Sequence, residues 1–443
     1  MIKMTATEKV LARASGKPGA KAGEIVSAKV DLCMGNELST SLAIPVFKAL
    51  GCKRVKDPSK VTIVMSHFTP NKDIMTAQLS QQVREWARSW GIKNFFDAGR
   101  GGIEHVLLPD EGLIRPGEVI VGGDSHSVTY GAFNAFGAGI GSTDLACAMA
   151  TGEIWLRVPE TIRFNFKGKL KGWTSAKDLV LYAIARIGVA GATYCAVEFA
   201  GEAIDDLDMP GRSTIVNMTA EMGGKNGIMR YDEKTREFMR NTRAKVPDNA
   251  YEPVWADEGA EYKEVIDLDV NDLEPIVAFP SLPSNGRPLS EVPEIRVDQV
   301  VIGSCTNGRI EDFRVAAEVM RGHKVAEGVR MVVLPASQQV YTQLAREGLL
   351  ELFAEAGAAV STPTCGPCLG GHMGVLGKDE VCFSTTNRNF VGRMGHRDAK
   401  VYLGSPAVAA ATAVAGKIVG PEEITGRKAP EHAQGSKAHE VAR

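Results

Sequence analysis

Short apolar, β-branched runs recur along the chain, each closing on glycine or a small polar residue: Val61 to Met65, Val119 to Val121, Val300 to Ile302, Val332 to Leu334 and Val401 to Leu403. Unbroken runs of this kind predict strands of parallel sheets covered on both faces. Between them lie helical stretches: Ile74 to Trp90, stopped by Gly91, and Phe313 to Met320, ahead of Gly322. Strand and helix in alternation predict α/β layers. The segment from Ser405 to Gly416 predicts a helix with Ser405 as N-cap, Pro406 at the first helical position and Gly416 as its stop. Its faces are small and apolar, which predicts burial.

With 443 residues the chain exceeds one compact core. The pattern predicts α/β units over residues 1–159, 160–277 and 294–420. Residues 278–293 carry four prolines and no regular period, which predicts an interdomain linker. The charged region from Lys225 to Glu264 reads as surface helix and loop. The polar stretch 421–443 has no pattern and predicts a flexible tail. No repeat of fixed period is present.

Lys and Arg number 51 against 53 Asp and Glu, so the electrostatic footprint of a nucleic-acid binder is missing. No apolar run is long enough for a signal peptide or a membrane span. Eight cysteines without disulfide-scaffold spacing fit a reducing, cytoplasmic setting. Forty-seven glycines predict many tight turns between strands and helices.

In open α/β sheets ligands bind beyond the carboxyl ends of strands. Five such positions are unusually polar: Ser66-His67, Gly122 to Ser127, Gly303 to Asn307, Thr364 to Cys368, and Ser384 to Arg393. Cys365 and Cys368 form a Cys-x-x-Cys turn that suits a metal or a redox dithiol. Leu369-Gly370-Gly371 follows and breaks a helix, which weakens the redox reading. Zinc would want a complete protein shell, with His372 or Cys382 as candidate additions. An iron-sulfur cluster held by three cysteines, with Cys305 as the third, would leave one iron open. Asp124-Ser125-His126 lacks the nucleophile elbow of a hydrolase. It reads either as a carboxylate orienting an imidazole, with Ser125 free for a ligand, or as turn formers. Arg388 and Arg393, with Asn387, match carboxylates and point to a di- or tricarboxylic acid.

In chain order, Gly-Gly-Asp124-Ser125-His126, Gly-Ser-Cys305-Thr306-Asn307, Cys365-Gly-Pro-Cys368 and Asn387-Arg388-Asn-Phe-x-Gly-Arg393 resemble the aconitase superfamily. Within it they are most similar to the large subunits of the isopropylmalate isomerase and homoaconitase group, from about Glu24 to Val419. The resemblance implies three α/β domains of aconitase type around a central iron-sulfur cleft, without the swivelling fourth domain. It implies a 4Fe-4S cluster on Cys305, Cys365 and Cys368. It implies catalytic roles for Asp124, His126, His105, Glu221 and His67, and substrate contacts from Asn36, Glu37, Ser125, Asn217, Asn307, Asn387, Arg388 and Arg393. The implied activity is a hydro-lyase that isomerises a hydroxylated dicarboxylate by dehydration and rehydration. Conversion of 2-isopropylmalate to 3-isopropylmalate in leucine biosynthesis comes first, and homoaconitase or a methylmalate or dimethylmalate dehydratase is the alternative. The family's swivelling-domain motif is missing, so the resemblance implies a separate small subunit as partner.

Two positions depart from the family. Ser66 stands where an aspartate usually precedes the first histidine, and Ser127 stands where threonine is commoner. Two other classes compete: an apo RNA-binding regulator, opposed by the neutral charge and the lack of basic and aromatic clustering, and a zinc-stabilised scaffold. No nucleic acid and no membrane is expected as a partner.

Overall fold

The computed structural model describes residues 2–427. Its first sheet is wholly parallel, in the spatial order Asn94–Phe96, Val61–Val64, Leu32–Asn36, Val119–Gly122 and Phe136–Gly139. The three central strands are buried at every position, as unbroken apolar runs covered on both faces must be. A second parallel sheet follows the order Asn226–Met229, Ala196–Ala200, Thr161–Lys167 and Glu264–Asp269. The third has seven strands: Gly286–Pro288, Ile276–Ala278, Lys400–Leu403, Val381–Ser384, Gln299–Gly303, Arg330–Leu334 and Ala359–Val360. Its last five run parallel and its first two are attached antiparallel. Ile25–Lys29 and Glu153–Arg157 form a separate antiparallel ribbon.

Every strand and helix expected from the apolar runs is present. The helix Ile74–Ser89 is capped by Trp90, with Gly91 left-handed behind it. In Pro406–Ala415, Ser405 Oγ accepts the Val408 amide and Gly416 closes the helix at φ 72°. Eight of its ten residues are buried, as the small side chains required.

Three expectations are corrected. Residues 278–293 are not without regular structure: Ala278 ends one strand and Gly286–Pro288 forms its hairpin partner, with Ala278 paired to Leu403 of the third sheet. Three-residue strands are too short to produce a readable period, and prolines are tolerated at such an edge. The region from Lys225 to Glu264 contains the amphipathic helix Glu233–Asn241, but it starts with the fully buried strand Asn226–Met229. Pro421–Thr425 is a short helix, and the rest of the anticipated tail beyond residue 427 lies outside the described residues.

One apolar core surrounds the second sheet and extends into the others. It takes in Leu32, Met34 and Val64 of the first sheet with Val301 and Leu334 of the third. Shared packing therefore brings the carboxyl ends of strands from different sheets to one cleft. Asp178 adds a polar tie. It is fully buried at the start of the helix Ala176–Ile187, where one oxygen accepts Ser175 N at 2.7 Å and Ser175 Oγ at 2.8 Å. The other accepts Ile276 N at 2.8 Å, on the third sheet. Asp178→Ala leaves these donors dry and should cost about 2–4 kcal/mol, measurable as a lowered urea midpoint.

Candidate active site

Asp124 is the hub of the cleft. It follows the strand Val119–Gly122 and caps the 3-10 segment Ser125–Phe133, accepting His126 N at 2.8 Å. The same oxygen lies 2.9 Å from His105 Nε2 and 3.4 Å from His126 Nδ1, while the other lies 3.7 Å from His67 Nε2. Burial works to raise the Asp124 pKa, but the hydrogen bonds from His105 and His126 hold it well below the usual carboxylate range. Asp124 therefore stays charged and fixes three imidazoles around one point.

His126 continues the network: its Nε2 lies 2.8 Å from Glu221 Oε1, and Glu221 accepts Arg388 Nε at 2.8 and 2.9 Å. Burial opposes ionisation of Glu221, yet His126 and Arg388 keep its pKa lowered. Burial and Arg388 push the His126 cation down, and its bonds to Asp124 and Glu221 more than offset them. Ser125 is exposed beside this network, and Arg393 keeps a buried Nε without a protein partner.

Asn36 and Glu37, expected to contact substrate, form hydrogen bonds beneath the cleft. Asn36 caps the helix Glu37–Ala49 and donates to Glu104 Oε1 at 3.1 Å. Glu37 accepts the backbone amides of Ser66, His67 and Phe68 at 3.0, 2.7 and 2.6 Å, which fixes the turn carrying His67. The Ser66 hydroxyl lies 2.8 Å from His67 Nδ1. An aspartate there would have brought a charge; the carboxylates facing His67 instead belong to Glu104, Glu37 and Asp124. Burial pushes the His67 pKa down, and these charges, Glu104 first, leave it raised.

Glu104 is the residue sequence reasoning missed. It is fully buried, its Oε2 has no protein partner, and ligand atoms of His67, Glu104 and Asp124 lie within 4.8 Å of one another. The signal was present in Gly-Gly-Ile-Glu104-His105, where a carboxylate adjoins a site histidine.

The cysteines lie beside this cluster. Cys305 follows Gly303, at φ 147°, where a Cβ would stand 2.3 Å from Leu334 O, so only glycine allows the turn. Cys365 N donates to Ser66 O at 2.9 Å, which pins the Cys-x-x-Cys loop to the His67 turn. The amides of Asn217 and Asn387 donate to Cys305 Sγ at 3.2 and 3.3 Å, and Asn387 Nδ2 also reaches Asn217 Oδ1 at 3.1 Å. Asn307 is turned to the support: it accepts Lys177 Nζ at 3.3 Å and donates to Asp312 at 2.9 Å.

Burial pushes the Cys305 thiol up to about 12. The hydrogen bond between Cys365 and Cys368 raises the former and lowers the latter, helped at Cys368 by Arg393, His126 and Arg388. All three can be thiolates together only with a cationic centre among them. Among the described residues, only His67, Glu104 and Asp124 bring three ligand atoms within 4.8 Å of one another. His372 Nε2 lies 2.7 Å from Pro70 O, and Cys382 is buried within the strand Val381–Ser384.

A mixed α/β fold with a carboxylate-imidazole hub beside three buried cysteines is the frame of an aconitase-type hydro-lyase. The family description Aconitase family (aconitate hydratase) matches residues 8–416, and the chain belongs to this family. It is similar to the 3-isopropylmalate dehydratase large subunit of Moorella thermoacetica, 55% identical over 95% of this chain and 99% of that protein. The 3-isopropylmalate dehydratase large subunit 1 of Pyrococcus furiosus is also 55% identical, over 95% and 99%. That of Halothermothrix orenii is 53% identical over the same shares. The solved holo-form of Thermococcus kodakaraensis aconitase X aligns at 13% identity and TM-score 0.48, covering 87% of this chain and 89% of that one. No helix among the described residues is long and apolar enough to cross a membrane.

Glu104→Gln removes the first of the charges that hold the His67 proton. The alkaline limb of the kcat profile should move to lower pH, with the activity loss growing as pH rises, and a pH-rate series on the folded variant checks this.

Proposed function

We propose that this hydro-lyase is the large subunit of a 3-isopropylmalate dehydratase, interconverting 2-isopropylmalate and 3-isopropylmalate by removing and re-adding water. The observation that carries the reaction class is the meeting of three imidazoles on half-buried Asp124 beside Cys305, Cys365 and Cys368. The name shared by relatives at 53–55% identity supports the substrate. The cofactor is a 4Fe-4S cluster on the three cysteines. When bound, its iron not ligated by protein supplies a Lewis acid for the substrate's hydroxyl and carboxylate.

The chain's own residues handle protons and orientation. A hydroxyl leaves as water only if a proton reaches it. His67, whose pKa the charges of Glu104, Glu37 and Asp124 raise against its burial, donates that proton from Nε2, since Ser66 occupies Nδ1. His105 and His126 fix Asp124, and Glu221 holds His126 and Arg388 together. Arg388 uses Nε on Glu221 and presents its terminal fork to one substrate carboxylate. Arg393, with its unpartnered Nε, suits another, and Ser125 contacts substrate at the mouth. The small subunit brings the base for the carbon-bound proton and the pocket for the side group. The eight free cysteines support a reducing, cytoplasmic setting.

The test is anaerobic reconstitution of the chain with ferrous iron, sulfide and a small subunit. Activity on 2-isopropylmalate with matched iron and sulfide is expected, and Cys305→Ser should lose both cluster and turnover. Stoichiometric zinc without sulfide would overturn the reading. Arg388→Lys, which loses the fork and the hold on Glu221, should reduce kcat/KM by about 10–100-fold.

A further inference from the structure

The helix Ala176–Ile187 brings one cation into the support of the cysteine loops. Lys177 is fully buried, and its Nζ meets Thr385 O at 2.7 Å, Thr386 O at 2.7 Å and Asn307 Oδ1 at 3.3 Å. All three partners are neutral acceptors. A neutral amine has two N–H bonds and a lone pair, whereas an ammonium has three donors. The three acceptors match the three donors of the charged form.

The partners belong to two loops. Asn307 lies two residues beyond Cys305, and Thr385 and Thr386 lead into Asn387, whose amide is 3.3 Å from Cys305 Sγ. Thr385 Oγ1 stitches the same loops together, accepting Gly303 N at 2.9 Å and donating to Gly303 O at 3.1 Å. Burial draws the Lys177 pKa down to about 7 even though Asp312, Cys305, Asp178 and Cys368 act to raise it, so the ammonium depends on the negative charges around it. Asp178 is occupied by Ser175 and Ile276, and Asp312 by Asn307 and Arg309. The Lys177 ammonium thus has no dedicated carboxylate.

We infer that Lys177 is a positioning residue that clamps the Cys305 loop to the Asn387 loop and supplies positive charge opposing the thiolates of the bound cluster. This rests on the cluster reading above. A buried cation favours the more negative, reduced cluster, so removing it should lower the midpoint potential.

The test compares the full chain, reconstituted with ferrous iron and sulfide, as wild type, Lys177→Gln, Lys177→Met and Lys177→Arg. A cavity of about 80 Å³, lined by Trp173, Thr214, Asn307 and Asp312 beside Lys177, gives room for the larger guanidinium. Redox titration followed by electron paramagnetic resonance is the readout. The Gln and Met variants should show a tenfold or larger shift in oxidised-to-reduced ratio at fixed potential, toward oxidised, or 59 mV in a one-electron couple. The Arg variant should stay near wild type. Loss of cluster from the Gln and Met variants with retention in Arg also meets the expectation. A midpoint unchanged in Gln and Met, or an Arg variant as impaired as they are, overturns the role of the charge. Wild-type protein without matched iron and sulfide would instead overturn the cluster reading, which separates the two failures.

Discussion

The structure depends on keeping a dense group of negative charges out of water. Asp124, Glu221, Glu104 and Glu37 lie around the same cleft as Cys305, Cys365 and Cys368, and a buried carboxylate or thiolate persists only where something offsets its lost hydration. His105, His126, Arg388 and the backbone amides of residues 66–68 perform that task at particular oxygens. The lowered pKa values of Asp124 and Glu221 are the result. Each imidazole that satisfies a carboxylate is also aimed by it, so charge balance and catalytic geometry are one arrangement.

That arrangement needs loops from distant parts of the chain to arrive together. Parallel sheets supply them, because every strand delivers its following loop to the same edge. Asn36, Ser66-His67 and Asp124 emerge from neighbouring strands of the first sheet, and Cys305 and Asn387 follow neighbouring strands of the third. The sheets are held in register by the shared core around the second sheet and by pins such as Cys365 N to Ser66 O. A small displacement of either sheet would separate the thiols from the imidazoles.

Much of this was legible in the chain. Unbroken apolar runs marked the parallel strands, and Ser405, Pro406 and Gly416 marked a buried helix, because those signals are local. The short hairpin at 276–288 and the strand Asn226–Met229 escaped because a few residues in a polar or proline-rich context carry no period. The ribbon strands Ile25–Lys29 and Glu153–Arg157 alternate exposed and buried positions, but Ile25 and Trp155 put apolar side chains on the exposed face, which blurs the alternation.

The sequence by itself determined which chemical groups are available and the order in which they follow their strands: the cysteines, the histidines, the Asp124 and Asn387 loops. The tertiary structure alone decided which of them meet. Ser66 in place of an aspartate looked like a missing charge until folding brought Glu104 and Asp124 to His67. Asn36 and Glu37, expected as substrate contacts, make hydrogen bonds in the fold that support Glu104 and the His67 turn. Lys177 followed a helix cap and carried no signal at all. Electrostatic interaction depends on distance through space and on the exclusion of water, and neither can be read from separation along the chain.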